Sequence, residues 1–177
     1  MTDPAALSRR TVLATTGAAG LGLALSGGPL SAAPAPFSML GVVKDIIAAW
    51  NRHDAAAVIA SVTEDIVYHA TSGYRPAASG KPAFRALLQQ MGPVIKTSNW
   101  RLFDAAENGN RLFVEGVDDF ITTAGHHVVI PYAGVFEFRG ALIYNWREYY
   151  DGRISAEMKD GAPLSEEIRS LINRPAI

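Results

Sequence analysis

Residues 134–151, GVFEFRGALIYNWREYYD, leave the chain little choice but a β-hairpin. Val135, Phe136, Phe138, Leu142, Ile143, Tyr144, Trp146, Tyr149 and Tyr150 form two apolar and aromatic runs that meet at Arg139-Gly140, and such residues fit a pleated, half-buried surface. Side chains alternate faces along a strand, which predicts Tyr144, Trp146, Glu148 and Tyr150 on one face and Ile143, Asn145, Arg147 and Tyr149 on the other. Glu148 is then a carboxylate among aromatic rings. A charge in such surroundings is either paired or put to chemical use, and the arginines in view as structural partners are Arg101, Arg147 and Arg153.

Strands continue upstream. Residues 100–106, 111–121 and 127–138 precede the final run 141–150, separated by Asn108-Gly109, Thr123-Ala124-Gly125 and Arg139-Gly140, so three consecutive hairpins are expected. Ahead of them the apolar period is helical. Ser38 can cap a helix carrying Leu40, Val43, Ile47 and Trp50 as far as Asn51, Asp54 can cap a shorter one over residues 55–60, and Pro82 suits the first turn of a third that ends at Gly92-Pro93. A strand beginning at Ile66 aligns Ile66, Tyr68 and Ala70, residues 71–80 read as a loop, and a last helix is expected from Ser165. Helices followed by a run of antiparallel strands describe an α+β domain, a curved sheet wrapped around three N-terminal helices with a pocket between them.

The chain has 177 residues and a formal net charge of −1, without a block of like charge, so the electrostatic footprint of a nucleic-acid binder is missing. It has no cysteine, which excludes disulfides, thiolate nucleophiles and iron–sulfur clusters. His126 and His127 are neighbours on a strand and diverge, His69 faces away from Tyr68, and His53 lies at a helix end; no metal site is expected from them. With no serine in a nucleophile elbow and no phosphate-binding glycine loop, covalent-hydrolase and nucleotide-dependent readings have little support.

Residues 1–36 follow another logic. Ser8-Arg9-Arg10-Thr11-Val12-Leu13 leads into a weakly apolar Gly/Ala/Thr-rich run and then Ser31-Ala32-Ala33-Pro34-Ala35-Pro36, the three regions of an export signal. The segment resembles a twin-arginine signal, which implies the twin-arginine translocation machinery as a partner and a periplasmic location, with retention as a membrane anchor the alternative. Residues 37–177 remain as one domain.

Four short motifs, Glu64-Asp65-Ile66-Val67-Tyr68, Glu115-Gly116-Val117-Asp118, Gly134-Val135-Phe136 and Trp146-Arg147-Glu148-Tyr149-Tyr150-Asp151, lie at corresponding places in this element order. Over residues 38–151 the chain resembles the limonene-epoxide-hydrolase branch of the cone-shaped α+β roll shared by nuclear transport factor two, ketosteroid isomerase and polyketide cyclases. That resemblance implies a homodimer acting without a cofactor on a small apolar oxygenated molecule. One carboxylic acid protonates an epoxide oxygen, a second carboxylate deprotonates water, an Arg holds the pair, and a Tyr and an Asn place the water. Position by position, the acid falls on Asp118, the base on Glu148 and the Tyr on Tyr68, while Gly116 stands at the Arg position and Ala70 at the Asn position.

Tyr132, Trp146 and Tyr150 are expected to line the pocket with Gly116 and Ala70, Tyr132 also offering a replacement polar group. The absent Arg side chain predicts extra volume and a bulkier terpenoid, polyketide or aromatic substrate. Two carboxyl groups in one apolar pocket cannot comfortably both ionise, so one proton should stay on the pair near neutral pH. Epoxide hydration, a proton-transfer reaction such as isomerisation, cyclisation or lyase cleavage, and non-catalytic binding of a hydrophobic ligand all stay open. The export reading predicts that replacing both Arg9 and Arg10 by Lys leaves the protein in the cytoplasm on cell fractionation; periplasmic recovery would refute it.

Overall fold

Side-chain caps start the helices where the sequence places them. Ser38 accepts a hydrogen bond from the Gly41 amide at the start of α1 (Met39–Asn51), and Asp54 accepts one from the Ala57 amide at the start of α2 (Ala55–Ala60), each satisfying a donor the first helical turn leaves free. Pro82 sits in the first turn of α3 (Lys81–Met91), where its missing N–H costs nothing. The computed structural model describes residues 37–177 except Tyr74, and the segment read as an export signal lies outside the described residues.

The strands are β1 (Val62–His69), β2 (Ala78–Ser79), β3 (Ile95–Ser98), β4 (Arg101–Asn108), β5 (Arg111–Thr122), β6 (His127–Arg139) and β7 (Leu142–Tyr149). They form one sheet in the order β2-β1-β7-β6-β5-β3, with β4 also paired to β5. The three expected hairpins β4-β5, β5-β6 and β6-β7 are present, and β1 closes the order by pairing parallel to β7. This is the mixed α+β roll: a strongly curled sheet with the N-terminal helices on its concave side.

Val43, Ile46, Val58, Phe84 and Leu88 of the three helices pack with Ile66, Leu112, Phe136, Ile143 and Trp146 of the sheet. A second cluster joins Phe103, Val117, Phe120 and Val128–Ile130 to Met158 and Ile168. These last two residues belong to α4 (Gly152–Lys159) and α5 (Glu166–Ile172).

Three local expectations change. The first strand begins at Val62 rather than Ile66, β3 was not expected, and neither was α4. Asp151 caps α4 by accepting from the Arg153 amide, but the helix opens on Gly152 and is too short to be stable alone, so packing against β6 has to hold it. A further change affects the hairpin itself. Ile143 pairs with Phe138 and Asn145 with Glu137, so β7 carries one extra residue, a bulge at Tyr144. Ile143 therefore turns into the core, fully buried, while Tyr144 leaves the Trp146 face and donates to Glu137 Oε2 at 2.8 Å.

Phe136 is completely buried, and its ring centroid lies 4.9 Å from that of Trp146. Phe136→Ala should destabilise the domain by about 3–5 kcal/mol through lost burial and an unfilled cavity, measured by urea unfolding; a loss below about 1 kcal/mol would mean that the sheet does not depend on this contact.

Candidate active site

Alternation along β5 and β6 decides which side chains face the helices. Asp118 is paired with Ile130, and Gly116 with Tyr132, so these four share the concave face; on β7, Trp146 opposes Phe136 and Glu148 opposes Gly134 on the same face. Asp118, Ile130, Tyr132, Trp146 and Glu148, but not Gly116, line a cavity of about 110 Å³, whose wall also includes Tyr68, Ala70 and Tyr150. A water molecule needs roughly 10–15 Å³ on this measure. There is room for a small organic molecule with water beside it.

An aromatic frame holds the wall. The Trp146 ring lies 4.9 Å from Tyr68 and stacks on Trp100 at 6.1 Å with 14° between planes. The Trp100 indole N–H donates to the Tyr132 hydroxyl at 2.5 Å, which leaves the Tyr132 proton free to donate elsewhere. Tyr68 donates to Glu148 Oε2 across a long 3.4 Å, and the Tyr150 hydroxyl pairs with Thr71 Oγ1 at 2.9 Å. Among the described residues of the cavity wall, two buried polar atoms have no partner, Asp118 Oδ1 and Trp146 Nε1. An unsatisfied buried group costs about 1–3 kcal/mol, and cavity-lining positions give both residues access to a ligand.

Among the described residues, Glu148 has no ion-pair partner. Arg101 turns to Asp119 at 3.5 Å, Arg147 to Glu137 at 2.5 Å and Arg153 to Asp151 at 3.9 Å. On the convex face, buried Asp119 also accepts from His127 Nε2 at 2.8 Å and Asn99 at 3.2 Å, while Arg101 donates to the Ile172 carbonyl at 2.6 Å and so ties α5 to the sheet. The charge that is compensated lies outside the cavity.

Inside it, both carboxyl groups are shifted upward. Their residues keep some surface toward the cavity, but protein encloses them otherwise. Burial raises Asp118 to about 7, against the pull of the Lys159 ammonium and with a smaller push from Asp119. Burial likewise raises Glu148 to about 8, with the Asp118 charge adding to it and Tyr68 opposing it; the nearby Trp146 indole also opposes the rise, although it closes no hydrogen bond by strict geometry. Burial raises the hydroxyls of Tyr68 and Tyr132 as well, which keeps them protonated donors.

Gly116 does not open the cavity. A Cβ there would lie 2.4 Å from the Arg101 carbonyl oxygen and 2.9 Å from Tyr132 Cε1, so backbone and the Tyr132 ring already occupy the space. The extra volume expected from the missing Arg is absent, and with it the argument for a bulkier substrate. Ala70, by contrast, lies in the cavity wall. Trp50, Trp100, Ser155 and Lys159 line the cavity too; the last two belong to α4 and could not have been placed without it.

A family model described as a SnoaL-like domain matches residues 43–146. The chain belongs to the SnoaL-like family. A comparison with curated proteins returned no match. Solved structures share the fold: an LEH-like epoxide hydrolase of M. tuberculosis is 22% identical at a TM-score of 0.59, with 68% of this chain and 87% of that one covered. A protein of Xanthomonas campestris provisionally named a polyketide cyclase is 25% identical at 0.60, covering 68% and 96%. TerC, co-crystallised with polyporic acid, is 14% identical at 0.61, covering 70% and 98%. The family match is to the SnoaL-like domain, and the solved neighbours do not single out the epoxide-hydrolase branch that the motifs resemble.

The raised carboxyls predict a stability profile. In the unfolded chain both groups lose their protons near pH 4, whereas in the folded chain they hold them to about 7 and 8. Between those limits the folded state binds more protons, so stability is greatest at the acid end and falls as pH rises through about 7 and 8. The Asp118→Asn/Glu148→Gln double variant should lose much of that slope and be more stable than the parent above pH ~8 in urea titrations; an unchanged slope would place the pH dependence elsewhere.

Proposed function

We propose that this SnoaL-like domain is a cofactor-independent acid–base enzyme acting on a small apolar oxygenated molecule, with Asp118 and Glu148 exchanging protons with it. The supporting observation is the pair itself: two carboxyl groups without an arginine partner, both raised toward neutral pH, in one aromatic cavity. Groups tuned close to the working pH serve best as acid and base.

Lys159 favours the ionised form of Asp118, and that charge in turn favours the protonated form of Glu148. We therefore assign Asp118 as the base and Glu148 as the acid, the reverse of the roles implied by the resemblance. Tyr68, beside Glu148, is assigned to the substrate oxygen.

The reaction proposed first is epoxide hydration. Asp118 takes a proton from water as the water oxygen bonds to one epoxide carbon. The bond from that carbon to the epoxide oxygen breaks, its electron pair stays on oxygen, and Glu148 supplies the proton that completes the diol. Hydrogen bonds from Tyr68 and Trp146 would stabilise the developing negative charge. A second reading is favoured by Ala70 and by the filled space over Gly116, which leave the two expected water- and pair-holding side chains missing. In it Asp118 removes a proton from carbon next to a carbonyl, Glu148 protonates the oxygen, and isomerisation, ring closure or lyase cleavage follows. On resemblance alone we also infer export to the periplasm and a homodimer.

Cyclic epoxides incubated with the purified domain in ¹⁸O-labelled water separate these readings. A diol carrying the label means hydration, and epoxide loss without label means isomerisation. Asp118→Asn and Glu148→Gln should each lower the rate at least about 10²-fold; turnover that survives both changes would remove the pair from the mechanism. No reaction with epoxides or enolisable carbonyl compounds, with ligand affinity indifferent to both changes, would make the domain a binding module.

A further inference from the structure

Lys159 is the last residue of α4 and stands in the cavity wall with Ser155. Its ammonium lies 5.9 Å from the centroid of Phe120, whose ring lines the same cavity on the strand that carries Asp118. The end of the helix is fixed. The His126 ring donates from Nδ1 to the Lys159 carbonyl at 2.5 Å, and the Gly161 amide donates to the Met158 carbonyl at 3.0 Å. Gly161 has φ +93°, and a Cβ there would stand 3.4 Å from His126 Nε2, so the turn that ends α4 suits glycine and packs on the imidazole. The result is a cation placed at the cavity by a held backbone.

Among the described residues no carboxylate lies within ion-pair distance of Lys159. The acidic groups of the cavity wall are Asp118 and Glu148, and they share a proton near neutral pH, so together with Lys159 the cavity carries almost no net charge. An anionic ligand meets no excess of negative charge there, and it finds one cation, carried by the exposed Lys159 side chain at the cavity's edge. We propose that Lys159 is a specificity-determining residue that selects substrates bearing an anionic oxygen, a carboxylate or an enolate, on an apolar body. The anionic oxygen pairs with the Lys159 ammonium while the apolar part enters between Trp50, Trp100, Tyr132 and Trp146. This rests on the acid–base reading of the same cavity and narrows its substrate class.

Binding can be measured without turnover, so the proposal is tested apart from catalysis. Cinnamate and its uncharged analogue cinnamamide, titrated calorimetrically into the domain at neutral pH, differ at the group that Lys159 would meet. Cinnamate should bind about fivefold more tightly, the upper range for a partly exposed ion pair. Lys159→Met should abolish that preference by weakening the acid alone, and Lys159→Arg should keep it. Equal binding of the two probes to the parent, no binding of cinnamate, or an unchanged preference in Lys159→Met overturns the proposal. The catalytic reading fails differently, through turnover that survives loss of Asp118 and Glu148.

Discussion

The register between β5 and β6 is the constraint on which the site depends. Eleven residue pairs run without a break from Arg111 opposite Glu137 to Ile121 opposite His127. Because side chains alternate, a slip of one residue would send Asp118 and Gly116 to the convex face and bring Val117 and Asp119 inward. Burial penalises that slip heavily. Asp119 would lose His127, Asn99 and Arg101, and Val117, now fully buried in the second cluster, would lose its place. A compensated carboxylate on one face thus fixes the position of an uncompensated one on the other.

Much of this was legible in the sequence because the signals were local. Capping by Ser38 and Asp54, Pro82 in a first turn, and the glycine turns between hairpins act within a few residues, and the structure has them where the sequence puts them. Tyr68, Ala70, Asp118, Tyr132, Trp146, Glu148 and Tyr150 do line one cavity. Tyr144 marks where local reasoning stops. Strict alternation puts it beside Trp146, yet the bulge gives the core to Ile143 and leaves the tyrosine a hydrogen bond to Glu137. Nothing in the run Leu142–Trp146 announces which residue is extra. The choice depends on Phe138 and Glu137 across the ladder.

Helix α4 and strand β3 were hidden for a related reason. Their stabilising partners, β6 for the helix and the far end of β5 for the strand, are distant in sequence, and neither short segment carries a strong period of its own. Missing α4 hid Lys159. The charge environment of Asp118 then appeared to lack a cation altogether, because the position inspected for one held Gly116.

Gly116 shows how the neighbouring chemistry is reorganised. A side chain at that position is barred by the Arg101 carbonyl and the Tyr132 ring; in its place the wall has a tyrosine hydroxyl that accepts from Trp100 and retains its own proton. A neutral donor stands where the resemblance leads one to expect a fixed positive charge. An arginine would hold both carboxyls ionised by Coulomb attraction, whereas the hydroxyl cannot, and burial is left to set their protonation. Burial raises Asp118 and Glu148, and the influence of the Lys159 cation is felt by Asp118. The asymmetry between otherwise similar carboxyl groups comes from Lys159, on a helix that packs on β6. The difference in protonation between the two carboxyls is accordingly a tertiary property, set by burial and by α4 rather than by the residues at positions 118 and 148 alone.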